Sequence, residues 1–184
     1  MKSFQQIGTL SSARPVAADE VIELHAARLL LLLRLCGVTK QGRIDGLTKL
    51  AKLDFFVRYP KAFNRVANHL NEKVTSTTDM IESSMVRHHY GPWDKRYYQI
   101  LPFLEARHLI TVAKNNHTYA FALTDKGVLV AGELKGRSEF AELAEQMRRV
   151  KLVLGKKTGS ALKNLIYEVF KTEVADKTLG EIIE

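Results

Sequence analysis

The chain has 184 residues, of which 46% are hydrophobic and 26% are charged, and this is the composition of a globular protein that buries a substantial core. The 28 Lys and Arg residues outnumber the 20 Asp and Glu residues, which gives a net charge of +8 and favours polyanions, anionic membranes or acidic protein surfaces as partners. The chain has one cysteine, and its longest apolar stretch, residues 26–38, is interrupted by Arg28 and Arg34. These features exclude a disulfide scaffold, a collagen, a coiled coil and a membrane span, and we expect a soluble cytoplasmic protein without a secretory signal.

Hydrophobic periodicity predicts a helical first half. Residues 1–17 are polar and without periodicity, so we expect them to form a flexible N-terminal arm. A strongly apolar helix then ends before Gly37, and it should be buried on most sides. Two more helices are predicted over residues 45–58 and 60–72, because the residue before Pro60 resists the helical conformation.

A turn over residues 90–94 leads into a further helix, which carries Tyr97 and Leu104 on its apolar face. Pro102 lies inside this pattern and is expected to kink the helix or to divide it in two. After Arg107 and His108 the periodicity changes from that of a helix to that of a strand.

The segments 109–114 and 117–123 have strand character and flank a predicted two-residue turn at Asn115-Asn116, so they predict a β-hairpin. Thr124 is placed to cap the helix that follows. The order helix, helix, helix, hairpin, helix predicts an α+β, mostly helical fold with a winged helix-turn-helix core over residues 18–136. The alternative is another α+β domain with one hairpin.

Residues 137–184 are predicted to form a helical C-terminal appendage. Ser138 can cap one helix that ends at Leu154, and Thr158 can cap a second helix that reaches Lys171. The second helix has a wide apolar face, which has to be buried against the core or against another chain.

Basic residues are concentrated between Lys40 and Arg65 and again between Arg148 and Lys171. Such clusters either support salt-sensitive DNA binding through phosphate contacts or form an ordinary solvated surface. In a winged helix, the helix before the hairpin usually enters the major groove. The residues that we expect to contact nucleic acid are Lys49, Lys52, Arg96 and Lys114.

Aromatic residues are interleaved with cations over residues 93–98, and large aromatic side chains are typical both of protein interfaces and of cores. The same choice applies to the apolar face of the last helix. The residues that we expect at protein interfaces are Trp93, Tyr97, Tyr98, Leu162, Ile166 and Phe170.

No catalytic constellation is visible, so we expect a binding module without a cofactor or metal rather than an enzyme. His88 and His89 are adjacent, and neighbouring side chains point apart in a helix or strand. Cys36 has no base fixed nearby in the sequence. Residues 155–160 lack the order of a phosphate-binding loop.

Three segments resemble the middle-component proteins of bacterial ABC-three-component systems. They are residues 46–60 (GLTKLAKLDFFVRYP), residues 90–98 (YGPWDKRYY) with the following 104–110 (LEARHLI), and residues 158–168 (TGSALKNLIYE). The resemblance covers roughly residues 44–170. The family pattern has a glycine before Leu109, where this chain has His108.

This resemblance implies a non-catalytic winged-helix subunit encoded between an SMC- or Rad50-like ATPase and an effector, as in Lamassu-type anti-phage or anti-plasmid defence. Such a subunit is expected to bind the ATPase heads, to keep the effector nuclease inactive and to contact double-stranded DNA. ATP hydrolysis and DNA cleavage would belong to the partner subunits. The alternative function is a homodimeric winged-helix transcriptional regulator that self-associates through its C-terminal helices and binds paired half-sites.

Overall fold

A computed structural model of the chain describes residues 21–76, 85–88, 91–115, 118–171 and 182–183. This part of the chain is α+β and mostly helical, as the sequence predicts. Its α-helices are α1 (Ile22–Cys36), α2 (Leu47–Arg58), α3 (Pro60–His69), α4 (Tyr97–Ala106), α5 (Asp125–Gly136), α6 (Ala141–Leu154) and α7 (Gly159–Val169). Its strands are β1 (Ile44–Asp45), β2 (Met85–His88), β3 (Gly91–Trp93), β4 (Ile110–Asn115), β5 (Thr118–Leu123) and β6 (Ile182–Ile183).

Helix α1 lies at the centre of the core. All residues from Leu29 to Leu33 are buried, because α4, α5, α6 and β5 pack around the helix from different sides. A helix that is apolar on every face is stable in water only when other elements cover it on every side. The predicted burial of this helix on most sides is therefore confirmed.

The strands form two small antiparallel sheets. In the first sheet the order is β1-β5-β4, and in the second it is β3-β2-β6. The predicted hairpin is confirmed as β4 and β5, with Ile110 opposite Leu123. Asn115 pairs with Thr118 and is the last residue of β4, so its predicted place in the turn is wrong; Asn116 lies outside the described residues.

Two predicted helix N-caps are confirmed. The Thr124 side chain accepts a hydrogen bond from the backbone N–H of Gly127 at 2.9 Å, and the Thr158 side chain accepts one from Ala161 at 3.1 Å. Both threonines are therefore N-caps, as expected. Pro102 lies inside the single helix α4, so the predicted division of this helix is wrong.

The end of α4 requires a left-handed backbone conformation at position 108. His108 has φ = 55°, its N–H donates to the Glu105 carbonyl, and the Leu109 N–H donates to the Leu104 carbonyl. This pair of bonds is the Schellman motif, whose C′ residue adopts the left-handed conformation. His108 therefore occupies a position that glycine fills more readily.

The last two helices belong to the same hydrophobic core as the rest. Helix α6 packs on α1 and α2, and α7 packs on α2 and α3. A 3₁₀ turn at Ser138–Phe140 precedes α6, so the predicted cap at Ser138 is wrong. Phe140 is the N-cap residue, and α6 starts two residues later than predicted but ends at Leu154 as expected. The residues 1–17, predicted as a flexible arm, lie outside the described part of the chain.

Helix α5 contains two glycines whose replacement by alanine should have opposite effects. A Cβ at Gly127 would overlap the Leu109 carbonyl oxygen, whereas a Cβ at Gly132 would meet no atom within 4 Å. We expect Gly127→Ala to lower the free energy of unfolding by about 1–3 kcal/mol, because the backbone has to move apart. Gly132→Ala should raise it by about 0.5–1 kcal/mol through helix propensity. Urea unfolding of both variants measures this, and equal effects would contradict the packing described.

Candidate functional site

Helix α4 and the turn before it present cations and an aromatic ring to solvent. The buried face of α4 carries Tyr97, Ile100 and Leu104. On the opposite side Tyr98 is 63% exposed, and Lys95 and Gln99 are also exposed. This face can donate hydrogen bonds, supply positive charge and stack an aromatic ring.

Asp94 fixes the start of α4. Its Oδ1 accepts the backbone N–H of Arg96 at 2.9 Å, while its Oδ2 accepts from Arg96 Nη2 at 2.7 Å and from Arg58 Nη1 at 2.8 Å. Burial alone would raise the pKa of Asp94, but the hydrogen bonds from Arg96 and the charge of Arg58 outweigh it and hold this pKa well below its usual range. The carboxylate therefore stays charged at neutral pH.

The network continues into the core through Asp54. Its carboxylate accepts from Arg28 Nε at 2.9 Å and from the Tyr97 hydroxyl at 2.7 Å, and it lies 3.7 Å from Arg58 Nη1. Burial raises the pKa of Tyr97 well above its ordinary value, and the nearby Asp54 charge raises it further. Tyr97 therefore remains a hydrogen-bond donor across the physiological pH range.

His25 connects the two ends of this network. Its Nδ1 lies 2.8 Å from Arg28 Nη1, and its Nε2 lies 2.7 Å from Arg96 Nη1. The imidazole ring thus joins the buried guanidinium of α1 to the guanidinium that precedes α4.

The far end of the β4–β5 hairpin is polar. Lys114 is directly opposite Tyr119 in the register, and both side chains are exposed. The pairs nearer the base of the hairpin on the same face, Val112 with Phe121 and Ile110 with Leu123, pack onto the core. Lys114 is accordingly displayed where the hairpin extends beyond the core.

The residues predicted to contact nucleic acid differ in their exposure to solvent. Lys114 is exposed, whereas Arg96 is 25% exposed and is engaged with Asp94 and His25. Lys49 is half-buried, and its Nζ donates to the Gly155 carbonyl at 2.9 Å. Lys52 is fully buried and donates to the Pro92 carbonyl at 2.7 Å. The prediction that Lys52 contacts a phosphate is therefore corrected, because its ammonium group faces the interior.

Most residues predicted for protein interfaces are core residues instead. Trp93 is 4% exposed and packs edge-on against Tyr97. The Phe170 ring meets Phe55 edge-on in the core. The prediction of a protein interface is therefore corrected for the side chains that are buried within their own chain. Tyr98 is the exposed member of the predicted set. The corrected residues are Trp93, Tyr97, Leu162, Ile166 and Phe170.

Lys52 has an altered protonation equilibrium. Burial and then the nearby charge of Lys163 lower its pKa to about 7, because desolvation disfavours the ammonium form. The Nζ lies between α2 and β3, 5.9 Å from the centre of the Trp93 ring. Near neutral pH the side chain can thus give up its charge, which avoids the larger cost of keeping a buried ammonium group charged.

Two other candidate chemistries, metal binding and a cysteine nucleophile, have no suitable arrangement of side chains within the described residues. No group of three or more His, Cys, Asp or Glu side chains there could hold a metal ion. Burial raises the pKa of the Cys36 thiol to about 12, so the thiolate needed for a nucleophile does not form at neutral pH. In the same part of the chain, no helix combines the length and the apolar character needed to cross a membrane.

The buried ion network is not among the features predicted from the sequence, although the sequence carries two signals of it. Arg28 interrupts an otherwise apolar stretch, and Asp54 and Arg58 are four residues apart in a helix rich in leucine and phenylalanine. Opposite charges at this spacing share one helix face. When the surrounding helix is apolar, such a pair indicates a buried ion pair rather than a solvated one.

Comparison of the chain with protein-family models, with curated proteins and with solved structures gives no match.

The low pKa of Lys52 predicts a specific pH dependence of stability. Between pH 7 and about 10.4, the ordinary value for lysine, the unfolded chain binds one proton more than the folded chain at this position. The folded state is therefore stabilised as the pH rises. Relative to Lys52→Met, the wild-type chain should gain up to about 1.4 kcal/mol of unfolding free energy per pH unit in this range.

Urea unfolding at several pH values between 6.5 and 9.5 measures this difference. Tyr and Cys titrations are common to both proteins and cancel. Lys61→Met, at an exposed position of α3, is the matched control and should give a constant difference. Parallel stability curves for the wild-type chain and Lys52→Met would refute the prediction.

Proposed function

We propose that the chain contains a winged helix-turn-helix arrangement built from α1, β1, α2, α4 and the β4–β5 hairpin. The observation that carries this proposal is the sheet order β1-β5-β4, in which Ile44 pairs with Phe121. In winged-helix domains a short strand after the first helix completes the hairpin sheet in this way. Helix α4, directly before the hairpin, then corresponds to the recognition helix, and α3 with β2 and β3 forms an insertion.

We further propose that the chain is a non-catalytic subunit of a bacterial defence complex with an SMC- or Rad50-like ATPase and an effector nuclease. Two of the segments that resemble the middle components frame the buried network: residues 46–60 contribute Asp54 and Arg58, and residues 90–98 contribute Asp94. In this proposal the network is a rigid support for an outer face that contacts the partners. ATP hydrolysis and DNA cleavage belong to the partner subunits.

Contact with double-stranded DNA is part of the same proposal. Lys95 and Gln99 on the outer side of α4 and Lys114 on the hairpin are the exposed polar groups in the positions that a recognition helix and a wing would occupy. Phosphate contacts from such residues position a protein on a duplex without reading its sequence.

The homodimeric transcriptional regulator remains the second candidate. Its self-association was expected to use the C-terminal helices, but the apolar face of α7 is buried against α2 and α3. An exposed part of these C-terminal helices is the outer side of α6, where Glu145 is paired with Arg148 and Leu152 is exposed. This polar face supports a stable dimer less well than an apolar one would.

The mass of the assembly tests the proposal directly. When the chain is expressed together with its neighbouring genes and purified gently, we expect it in a large complex that contains an ATPase and a nuclease. A species of about twice the chain mass, without other proteins, would replace the defence subunit by the regulator.

Substitutions at Tyr98 and Trp93 should distinguish an effect on partner binding from an effect on folding stability. Tyr98→Ala should change the unfolding free energy by less than about 1 kcal/mol but weaken binding to the ATPase–nuclease assembly by about tenfold, the effect of an exposed aromatic contact. Trp93→Ala should lower the unfolding free energy by about 3–5 kcal/mol, because it leaves a cavity in the core. Thermal unfolding and co-purification measure the two effects.

Leu129→Ala, which removes an exposed side chain of α5, is the control for Tyr98→Ala and should alter neither quantity. If Tyr98→Ala binds as tightly as this control, α4 is not a partner surface.

A further inference from the structure

The turn between α6 and α7 carries two lysines that the packing of the chain does not use. Lys156 is exposed and Lys157 is partly exposed, and within the described residues neither ammonium group has a hydrogen-bonding or ionic partner. Other lysines of the same region are engaged: Lys49 donates to Gly155, and Lys151 donates to the carbonyls of Cys36 and Gly37 at 2.8 and 2.6 Å. The two lysines of the turn are thus available for an external anion.

A chain of direct contacts joins this turn to the start of α2. A Cβ at Gly159, the first residue of α7, would lie 3.0 Å from the backbone nitrogen of Lys49 and 3.4 Å from Thr48 Cβ. The Lys49 ammonium reaches across to the Gly155 carbonyl. The α6–α7 turn and the first turn of α2 therefore form one surface.

The same surface continues to the hairpin. The N–H of Gly46, which precedes α2, donates to the Tyr119 carbonyl at 2.7 Å, and a Cβ at Gly46 would lie 3.7 Å from Thr118 Cγ2. Lys114 is directly opposite Tyr119. We call this surface the basic strip; its residues are Lys114, Thr118, Tyr119, residues 46–49 and residues 155–159.

The nearby acidic group does not cancel the charge of the basic strip. Asp45 precedes Gly46 and is exposed, but its carboxylate is paired with Arg43 at 2.7 Å. The strip therefore retains the charges of Lys114, Lys156 and Lys157, with Lys49 between them.

We propose that the basic strip binds the phosphate backbone of a DNA duplex, so that the α6–α7 turn is a second contact beside the hairpin. This inference rests on the proposed contact with DNA and adds a region of the chain that lies outside the winged helix. Separated lysines along a strip match the repeated charges of a phosphate backbone, whereas the centres of protein interfaces are poor in lysine. An acidic protein surface is the other possible partner, and the experiment distinguishes it.

The test measures the affinity of the full chain for two duplexes of unrelated sequence at several salt concentrations. Removing one phosphate contact reduces the slope of log K against log salt by about 1. We expect Lys156→Gln with Lys157→Gln to reduce the slope by about 2 for both duplexes, and Lys114→Gln to reduce it by about 1. The double variant Lys61→Gln with Lys73→Gln changes two other exposed lysines and the net charge equally, and it should leave the slope nearly unchanged.

Three results would overturn the inference. They are a wild-type chain that does not bind either duplex, equal slopes for the Lys156/Lys157 variant and its control, and a Lys156/Lys157 variant that keeps its DNA slope but leaves the ATPase–nuclease complex. The last result would assign the strip to an acidic protein surface. If the wild-type chain purifies as a dimer while the expected slopes are found, the defence-complex proposal fails and the basic strip stands.

Discussion

The arrangement of this protein depends on one buried ion network. Three guanidinium groups, those of Arg28, Arg58 and Arg96, meet the carboxylates of Asp54 and Asp94 where α1, α2 and the turn before α4 come together. Removing one member of such a network leaves the others unpaired in the core, at a cost of about 3–5 kcal/mol. Since apolar contacts alone tolerate sliding between helices, the directional bonds of the network specify how α4 is placed on α1 and α2.

The network also determines which side chains of α4 lie on the outer surface. Asp94 accepts bonds from Arg58 inside and from Arg96 at the rim, so the start of α4 is fixed from both directions. Tyr97 points inward to Asp54, and the next residue along the helix, Tyr98, must then point outward. A rigid face with a displayed aromatic ring loses little conformational entropy on binding, and this favours a partner surface at α4 over a flexible loop.

The features predicted correctly are those determined by residues close together in the sequence. The features missed are those determined by contacts between residues far apart in the sequence. The caps at Thr124 and Thr158, the hairpin and the buried first helix follow from short patterns of turn, cap and apolar residues. A surface position is the expectation for Lys52 because lysine is rarely buried, yet the Pro92 carbonyl that accepts its hydrogen bond is 40 residues away. The partners of the apolar face of α7 are still more distant in sequence. Periodicity could therefore show that this face needed cover, but not that α2 and α3 supply it.

The positive net charge of the chain is a poor guide to its binding surface, because many of its lysines and arginines support the fold. Lys49 and Lys151 bind carbonyls near the ends of α6 and α1, where a positive charge is favourable, and three arginines belong to the core network. What remains for a polyanion is the smaller set of cations without such partners. Charge clustering along the sequence ranked the region of Lys49 and Lys52 as highly as the α6–α7 turn. The contacts separate the two: in the first the ammonium groups are directed to the protein, and in the second they face solvent. The anion-binding surface that we propose is therefore defined by the cations that the fold leaves without a partner.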